Sequence, residues 1–375
     1  MASGDDSANI NGGSNGLPST QTRMPAPRIS RAPRRGHGRA TLADVAAAAG
    51  VTAITVSRYL REPHRVAAAT AESIARALAA TGYVPNKQAG ALASAGAGRS
   101  RMVAALIPSI ANSIFAETVQ GLADGLQGSG CELLLASTNY SIEREEEQLR
   151  ALMGWFPNAI VVTGRRHSAG ALALMRAARD RGTPVIEIWD HHRSVRGFTQ
   201  IGFDHAEVGR AMAAHLIERG HRALAYVDSG VAEDFRAHER GEAFMAAASA
   251  HGASVQRIVA PQVEAIEAGR AALRLLLDAR GGPRVSAAAF ANDHLACGAL
   301  LEAQAHAIVV PSALALLGFG DFVLGRQLAP GLSTVQLPRL EIGRAAAQAL
   351  LASFDSGAPA PDASLPWVLV ARGTS

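Results

Sequence analysis

Cysteine is almost absent from this chain. Cys131 and Cys297 are the only two among 375 residues, and both sit in apolar runs. Two isolated thiols build neither a disulfide framework nor a zinc site, so they read as small core residues of a reducing compartment. No apolar stretch approaches the ~20 residues that a membrane span needs. The N-terminus also lacks the basic-then-apolar pattern of a secretory signal, and the expected location is cytoplasmic, with no membrane partner. Catalytic signatures are missing too. Gly128-Ser129-Gly130 lacks the Lys-Ser/Thr of a phosphate loop. His191, His192 and His205 have no further ligand at metal-site spacing and are expected on the surface. The charge run from Glu143 to Gln148 reads as a solvated helix face. Neither a cofactor, a metal nor a catalytic residue is expected.

What is present is enough apolar content for a substantial core, 48% of residues, on a length that suggests two or three folding units. The net charge of +4 matters through its placement. Thirteen Arg and Lys against five acids give residues 1–101 a charge of +8, which leaves −4 for residues 102–375. That asymmetry suits a polyanion-binding head joined to a mildly acidic body. A basic disordered tail is the bland alternative, and it accounts only for the first 39 residues.

Residues 1–38 are rich in Ser, Gly, Asn, Pro and Arg, bury too little to offset chain entropy, and are predicted to be disordered. The Arg-Pro run from Arg28 to Arg39 either adds non-specific DNA affinity or is only solvated. Residues 41–84 carry a three-helix pattern. Thr41 to Asp44 reads as a capping box for a first helix with Leu42, Val45, Ala46 and Ala49 on one face. Gly50 ends that helix and Val51 fills the turn. Thr52 is predicted to cap a second helix, Ala53 to Leu60, with Val56 and Leu60 inward; Pro63 stops it. A third helix is expected from about Thr70 to Thr81, burying Ile74, Ala77 and Leu78. From Met102 onward, strand-like runs at 102–107, 131–136, 159–163, 184–189, 222–227, 286–291 and 314–318 appear, mostly separated by helical runs. The helical runs fall at about 114–128, 142–153, 169–181, 205–219, 236–251, 263–279, 293–305 and 339–354. This rhythm predicts parallel sheets covered on both faces, in two Rossmann-like lobes, with Trp367 to Val370 closing one sheet.

Residues 41–60, TLADVAAAAGVTAITVSRYL, resemble the N-terminal headpiece of the lac-repressor (LacI/GalR) family. Leu-x-Asp-Val-Ala before an Ala-Gly-Val turn, Thr-Val-Ser-Arg in the second helix, and Tyr83-Val-Pro-Asn86 carry the resemblance, which extends through Ala291-Asn-Asp293 and Gly318-Phe-Gly-Asp321. It implies an all-α helix-turn-helix headpiece (39–85), a hinge (86–101) and a two-lobed, periplasmic-binding-protein-like α/β effector and dimerisation body (102–375). Residues 1–38 lie outside it. A helix-turn-helix lays its second helix in the major groove, where base edges are legible. Ala53, Ile54, Ser57 and Arg58 then face the DNA. Arg58 can grip guanine O6/N7, and Ala53 and Ile54 can pack on thymine methyls. Thr52, Thr55, Ser57 and Asn86 suit phosphate oxygens, which fix register. In the hinge, Leu92 takes the place of the family's minor-groove wedge; the alternative is that it docks on its own chain. Two such wedges require a homodimer on a near-palindromic operator in double-stranded DNA. One departure concerns the third helix, where the family's Ser or Thr cap is replaced by Ala67, a loss of about 1 kcal/mol, with Thr70 the expected substitute.

The same resemblance places a small sugar or sugar-acid effector in the cleft between the lobes. The matching positions are Asn112 and Phe115, Arg240 with Phe244, Asn292 and Asp293, and Phe319 to Asp321. An Arg fork at 240 can hold a carboxylate or vicinal hydroxyls, and Arg339, which begins a helix, is a second candidate cation. Asp293 either accepts from a sugar hydroxyl or caps the helix after it. Gly320 stands where neutral-sugar relatives often carry a carboxylate; it either admits an anionic ligand or serves a turn with positive φ. The loop 318–321, the strand end Glu187 to Asp190 and Arg339 to Gly343 look like the gluconate-repressor branch. The competing classes are a periplasmic-type sugar-binding protein, opposed by the headpiece, and an enzyme, for which no acid/base or nucleophile constellation speaks. If Leu92 is the wedge, Leu92→Ala loses most operator preference while ligand binding stays intact. Unchanged affinity and unchanged bending in a footprinting assay would contradict that role.

Overall fold

The computed structural model describes residues 40–84, 102–110, 113–192, 197–278 and 284–375. The chain divides into two compact units, with the boundary after Asn86. Asn86, Leu92 and Asn112 lie outside the described residues, as do residues 1–38 and the hinge from Asn86 to Arg101.

In the first unit, helix α1 (Leu42–Ala49) starts at a complete capping box. The Thr41 N–H donates to the Asp44 carboxylate at 2.7 Å, and the Asp44 N–H donates to Thr41 Oγ1 at 3.3 Å. Gly50 ends the helix in the left-handed region, at φ +69°. Helix α2 (Ala53–Arg61) is capped by Thr52, whose Oγ1 accepts from the Thr55 N–H at 3.2 Å. Helix α3 runs Ala68–Thr81 and differs from expectation. Thr70 does not cap it; the helix begins two residues earlier, behind Ala67, with no side-chain cap. Alanine is the best helix former, so the run at 67–69 extends the helix backward despite the uncapped end. Val45, Val56 and Ile74 are fully buried between the three helices, with Ala46 and Ala77 beside them; Leu60 and Leu78 are half-buried. Ser73 Oγ ties α3 to the end of α1 through the Ala49 carbonyl at 3.1 Å.

The second unit alternates strands with helices. Its first lobe holds β1 (Met102–Ile107), β2 (Glu132–Ser137), β3 (Ala159–Thr163), β4 (Val185–Ile188) and β5 (Thr199–Gly202). Joined by β11 (Ala363–Ser364), these form one parallel sheet in the order β11-β5-β4-β3-β1-β2. The second lobe holds β6 (Ala223–Asp228), β7 (Ser254–Val259), β8 (Ala287–Phe290) and β9 (Ala315–Leu317), parallel and ordered β7-β6-β8-β9. Helices cover them: α4 (Ser113–Leu126), α5 (Ile142–Met153), α6 (Ala169–Asp180), α7 (His205–Glu218), α8 (Phe235–Ala250), α9 (Ala265–Asp278), α10 (Asp293–Ala305), the short α11 (Val323–Gln327) and α12 (Arg339–Ser356). Strands β3, β4 and β8 are buried along their whole length, as parallel strands with two covered faces must be. Among the described residues no helix is long and apolar enough to cross a membrane. Both cysteines are free; Cys297 is buried and Cys131 half-buried.

Seven strands lie where the apolar runs predict them. The others carry weaker signals: β5 reads Thr-Gln-Ile-Gly, and β7 is an edge strand with polar positions outward. The run near Trp367 does not close a large sheet. Val368–Val370 (β12) pairs antiparallel with β10 (Thr334–Gln336), and the lobe-one edge is taken by Ala363 and Ser364 instead. The chain then ends inside lobe two. Fully buried Thr374 accepts the Leu316 N–H through its carbonyl, and its hydroxyl donates to the Leu316 carbonyl, both at 2.7 Å.

The charge run on α5 is not wholly a solvated face. Glu145 is buried against His167, whose Nδ1 lies 2.6 Å from its carboxylate, while Glu187 lies 3.4 Å from Nε2. Burial alone would favour the neutral ring, but the two carboxylates overcome it and push the imidazole up to about 9. An unfolded histidine titrates near ~6.5, so this ion triad contributes fully below that pH and is lost as pH rises through about 9. The melting temperature of the wild type is therefore expected to fall between pH 7 and pH 10. His167→Gln should cost roughly 3–5 kcal/mol at neutral pH, by leaving two buried carboxylates without their counter-charge, and should flatten that alkaline decline. Parallel thermal melts of the two proteins across the pH range check this.

Candidate effector site and nucleic-acid interface

Helix α2 carries the residues expected to face DNA. Thr52, Ala53, Ile54 and Arg58 are exposed, while Thr55 and Ser57 are half-buried. Ile54 is 70% exposed, an aliphatic side chain with no core to join. Val56 anchors the opposite face in the core. The Thr52 and Thr55 hydroxyls lie 2.9 Å apart and hold each other at the helix start. Arg58 has no ion-pair partner among the described residues, so its guanidinium is available to a ligand from outside.

In the second unit, the cleft residues come from both lobes and from the points where the chain crosses between them. Ile114 and Phe115 on α4, Tyr140 before α5 and Trp189 after β4 come from lobe one. Asp234, Arg236 and Arg240 around the start of α8, with Ala291 and Asn292 after β8, come from lobe two. His205 opens the helix after the first crossing, and Phe319 follows β9 as the second begins. Together these line a narrow recess with about 30 Å³ of free volume. Phe115 and Trp189 meet edge to face at 5.4 Å, giving the recess an aromatic wall.

Arg240 is 3% exposed, and its guanidinium lies flat over Phe319 at 3.5 Å from the ring centroid. Nη1 donates to His205 Nδ1 at 2.9 Å and to the Arg236 carbonyl at 3.3 Å; Nη2 donates to the Ala291 carbonyl at 2.8 Å. The fork is thus largely engaged by the protein, and Nε is a buried donor without a partner. Gly209 on α7 lets this helix approach: a Cβ there would sit 2.1 Å from the Arg240 carbonyl. One turn earlier on the same helix, Arg236 is more loosely held, 3.5 Å from the Thr163 carbonyl and 3.9 Å from Asp234. Its charge centre is 6.0 Å from the Phe115 ring. Beside the recess, Arg165 of lobe one grips Glu239 of lobe two through two contacts of 2.8 and 3.0 Å, and Asp190 at 2.5 Å. Glu233 of lobe two accepts the Ile142 N–H of lobe one at 3.0 Å. The lobes are held together across the cleft.

Several predicted positions hold the scaffold instead. Asp293 neither faces the recess nor caps α10. It is fully buried, accepting from the Thr334 hydroxyl at 2.5 Å and the Phe322 N–H at 2.7 Å. Burial pushes its carboxyl up to about 6 against those two bonds. Asn292 caps the helix in its place, through the Leu295 N–H at 3.1 Å. Asp321 is locked between Arg326 and Arg372, each 2.6 Å away. Burial opposes its charge, yet the two guanidiniums hold its carboxyl below the usual range. Arg339 is no pocket cation. It donates to the Gly320 carbonyl and pairs with Glu117 at 2.7 Å, bracing the crossing segment against α4. Gly320 has φ +131°, and a Cβ there would meet the Phe322 ring at 2.8 Å, so glycine serves the turn and no carboxylate could stand in its place. Phe244 lies in the core against Tyr226. Phe115, Arg240, Asn292 and Phe319 do line the recess.

Sequence reasoning missed Arg236, Asp234, Tyr140, Trp189 and, most plainly, His205. Expected on the surface, His205 is 2% exposed and central to the site. Arg236 had a usable signal: four residues before Arg240 puts both on one helix face.

A helix-turn-helix unit and a cleft in a two-lobed body, carried on one chain, define the class of an effector-controlled DNA-binding regulator. Residues 41–86 match the family described as bacterial regulatory proteins, lacI family, and residues 213–375 match the periplasmic binding protein-like domain. The chain is 38% identical over 320 residues to the HTH-type transcriptional regulator GntR of Pseudomonas aeruginosa, covering 85% of this chain and 90% of that one. It is 33% identical to the regulator of the same name in Escherichia coli, covering 84% and 92%. A crystal structure of a LacI family transcriptional regulator from Silicibacter pomeroyi superposes with a TM-score of 0.82 at 32% identity, over 89% of this chain and all but 1% of that one, 99% being covered. The chain belongs to the lacI family of bacterial regulatory proteins, and it is a ligand-responsive, DNA-binding transcription regulator.

Arg58→Ala is expected to weaken binding to a selected operator by about 1–3 kcal/mol and to relax base choice at one position per half-site. Equal affinity of mutant and wild type in a gel shift with heparin competition would remove Arg58 from the reading surface.

Proposed function

We propose that the chain is a repressor whose grip on a near-palindromic operator is set by a small sugar acid, gluconate or a close relative, bound between the lobes. The observation that carries this reading is the pair Arg236 and Arg240, one turn apart at the positive end of α8, on one side of an aromatic-walled recess. Asp234 beside them is occupied as the cap of that helix, accepting the Ala237 N–H at 3.2 Å. Two guanidiniums suit a carboxylate, and the aromatic wall suits the C–H faces of a polyol. Arg236, rather than Arg339, supplies the second cation. The repressor acts as a homodimer, one headpiece on each half of the near-palindromic operator.

A ligand that binds only the folded state raises stability by RT ln(1 + [L]/Kd), about 2.7 kcal/mol at a hundredfold excess over Kd. Gluconate should therefore raise the melting temperature by several degrees, and glucose should not. Arg236→Ala and Arg240→Ala should each abolish the shift. Stabilisation by glucose or ribose but not by gluconate overturns the sugar-acid reading and leaves the regulator intact. Sedimentation at the mass of one chain overturns the homodimer.

A further inference from the structure

Both ring nitrogens of His205 are committed. Nε2 lies 2.8 Å from the Trp189 carbonyl, and Nδ1 lies 2.9 Å from Arg240 Nη1. A carbonyl oxygen can only accept, so Nε2 carries the hydrogen. A guanidinium nitrogen can only donate, so Nδ1 presents a lone pair. The geometry leaves one tautomer of the neutral ring. The charges that act most strongly on it are three cations, Arg240 and Arg236 on α8 and Arg165 after β3. The carboxylates nearby are already taken, Asp190 by Arg165 and Asp234 by the start of α8. The faces of the ring are covered by Phe203 at 4.6 Å and Phe319 at 6.3 Å between centroids.

We propose that His205 is the positioning residue of the effector site: a neutral, Nε2-protonated imidazole that holds the Arg240 guanidinium flat on Phe319 and so keeps the recess competent for an anionic ligand. The inference rests on the sugar-acid reading above. Arg240 reaches the recess from α8, and without an acceptor at Nδ1 its Nη1 edge keeps only the longer bond to the Arg236 carbonyl. A second proton on the ring would set an N–H against an N–H, beside a guanidinium charge, and Arg240 would have to turn away. Burial and the surrounding cations both hold the imidazole far below its ordinary range, so the neutral form persists through neutral pH. The site therefore keeps its affinity level across neutral pH and loses it only under acid conditions, although its central residue is a histidine.

The test is isothermal titration of the full chain with gluconate. His205→Phe keeps a ring but loses the acceptor, and its affinity should fall at least about tenfold, the loss of one hydrogen bond to a charged group. His205→Asn restores an acceptor near the Nδ1 position and should recover most of the affinity. Wild-type affinity should be level from pH 8 to pH 6. Undiminished binding by His205→Phe overturns the proposal, and so does an asparagine variant as weak as the phenylalanine variant, which would make the effect one of shape. If the wild type ignores gluconate, the sugar-acid reading fails separately. Imidazole ¹⁵N spectra of the ligand-free chain then decide the present point: a neutral Nε2–H ring from pH 8 to pH 6 sustains it, and an imidazolium or an Nδ1–H ring overturns it.

Discussion

A guanidinium taken out of water has to find acceptors for the hydrogens it carries, and Arg240 finds three, two of them at distant points of the chain. The His205 ring stands where the chain first enters lobe two. The Ala291 carbonyl follows β8, and Phe319, beneath the charge, follows β9. One buried charge therefore fixes the ends of two strands and one helix at a common point. Losing any one of these partners would leave part of the charge unsatisfied, at a cost comparable to a large fraction of a domain's stability. The recess inherits its rigidity from this requirement more than from the aromatic packing around it.

The second consequence concerns how the lobes meet. Arg339 braces the crossing segment against α4, Arg165 reaches from lobe one to Glu239, and Glu233 reaches back to the Ile142 amide. These contacts surround the recess without entering its aromatic wall. In the proposed site, a carboxylate beside Arg236 would compete with the carbonyl of Thr163 for the same donor, so occupancy and lobe contact would share a side chain. That sharing is a differential interaction of the kind a ligand needs in order to shift an equilibrium between arrangements.

Periodicity made most of the elements legible. Apolar runs located seven of the strands, and the capping box at Thr41 and the left-handed Gly50 bounded α1 where expected. Legibility failed where the deciding partner is far away in sequence. Asp321 looks like a sugar ligand until Arg372, fifty-one residues on, is seen to hold it. Asp293 looks like a cap until Thr334 claims its oxygen. His205 looks like a surface residue because the cations that exclude its proton come from α8 and from the loop after β3. By contrast, Arg236 lay in plain view, on the helical spacing of Arg240. Strands β5, β7, β10 and β11 were hidden by polar or very short sequences whose pairing is decided by neighbours.

Thr374 has no exposed surface and bonds to Leu316 and Ser333, while Ala363 and Ser364 finish the sheet begun at Met102. Each lobe is thus completed by residues far along the sequence from the strands they join. A ribosome that has released everything up to Leu317 has supplied every strand of the second sheet and five of the six in the first, yet both lobes still wait for their final pieces. These closing contacts are long-range in sequence, so neither half reaches its finished form before residues 363–374 have been made. Only the helical headpiece, whose contacts are local, is free of that wait, so the part that reads DNA can be folded before the part that governs it exists.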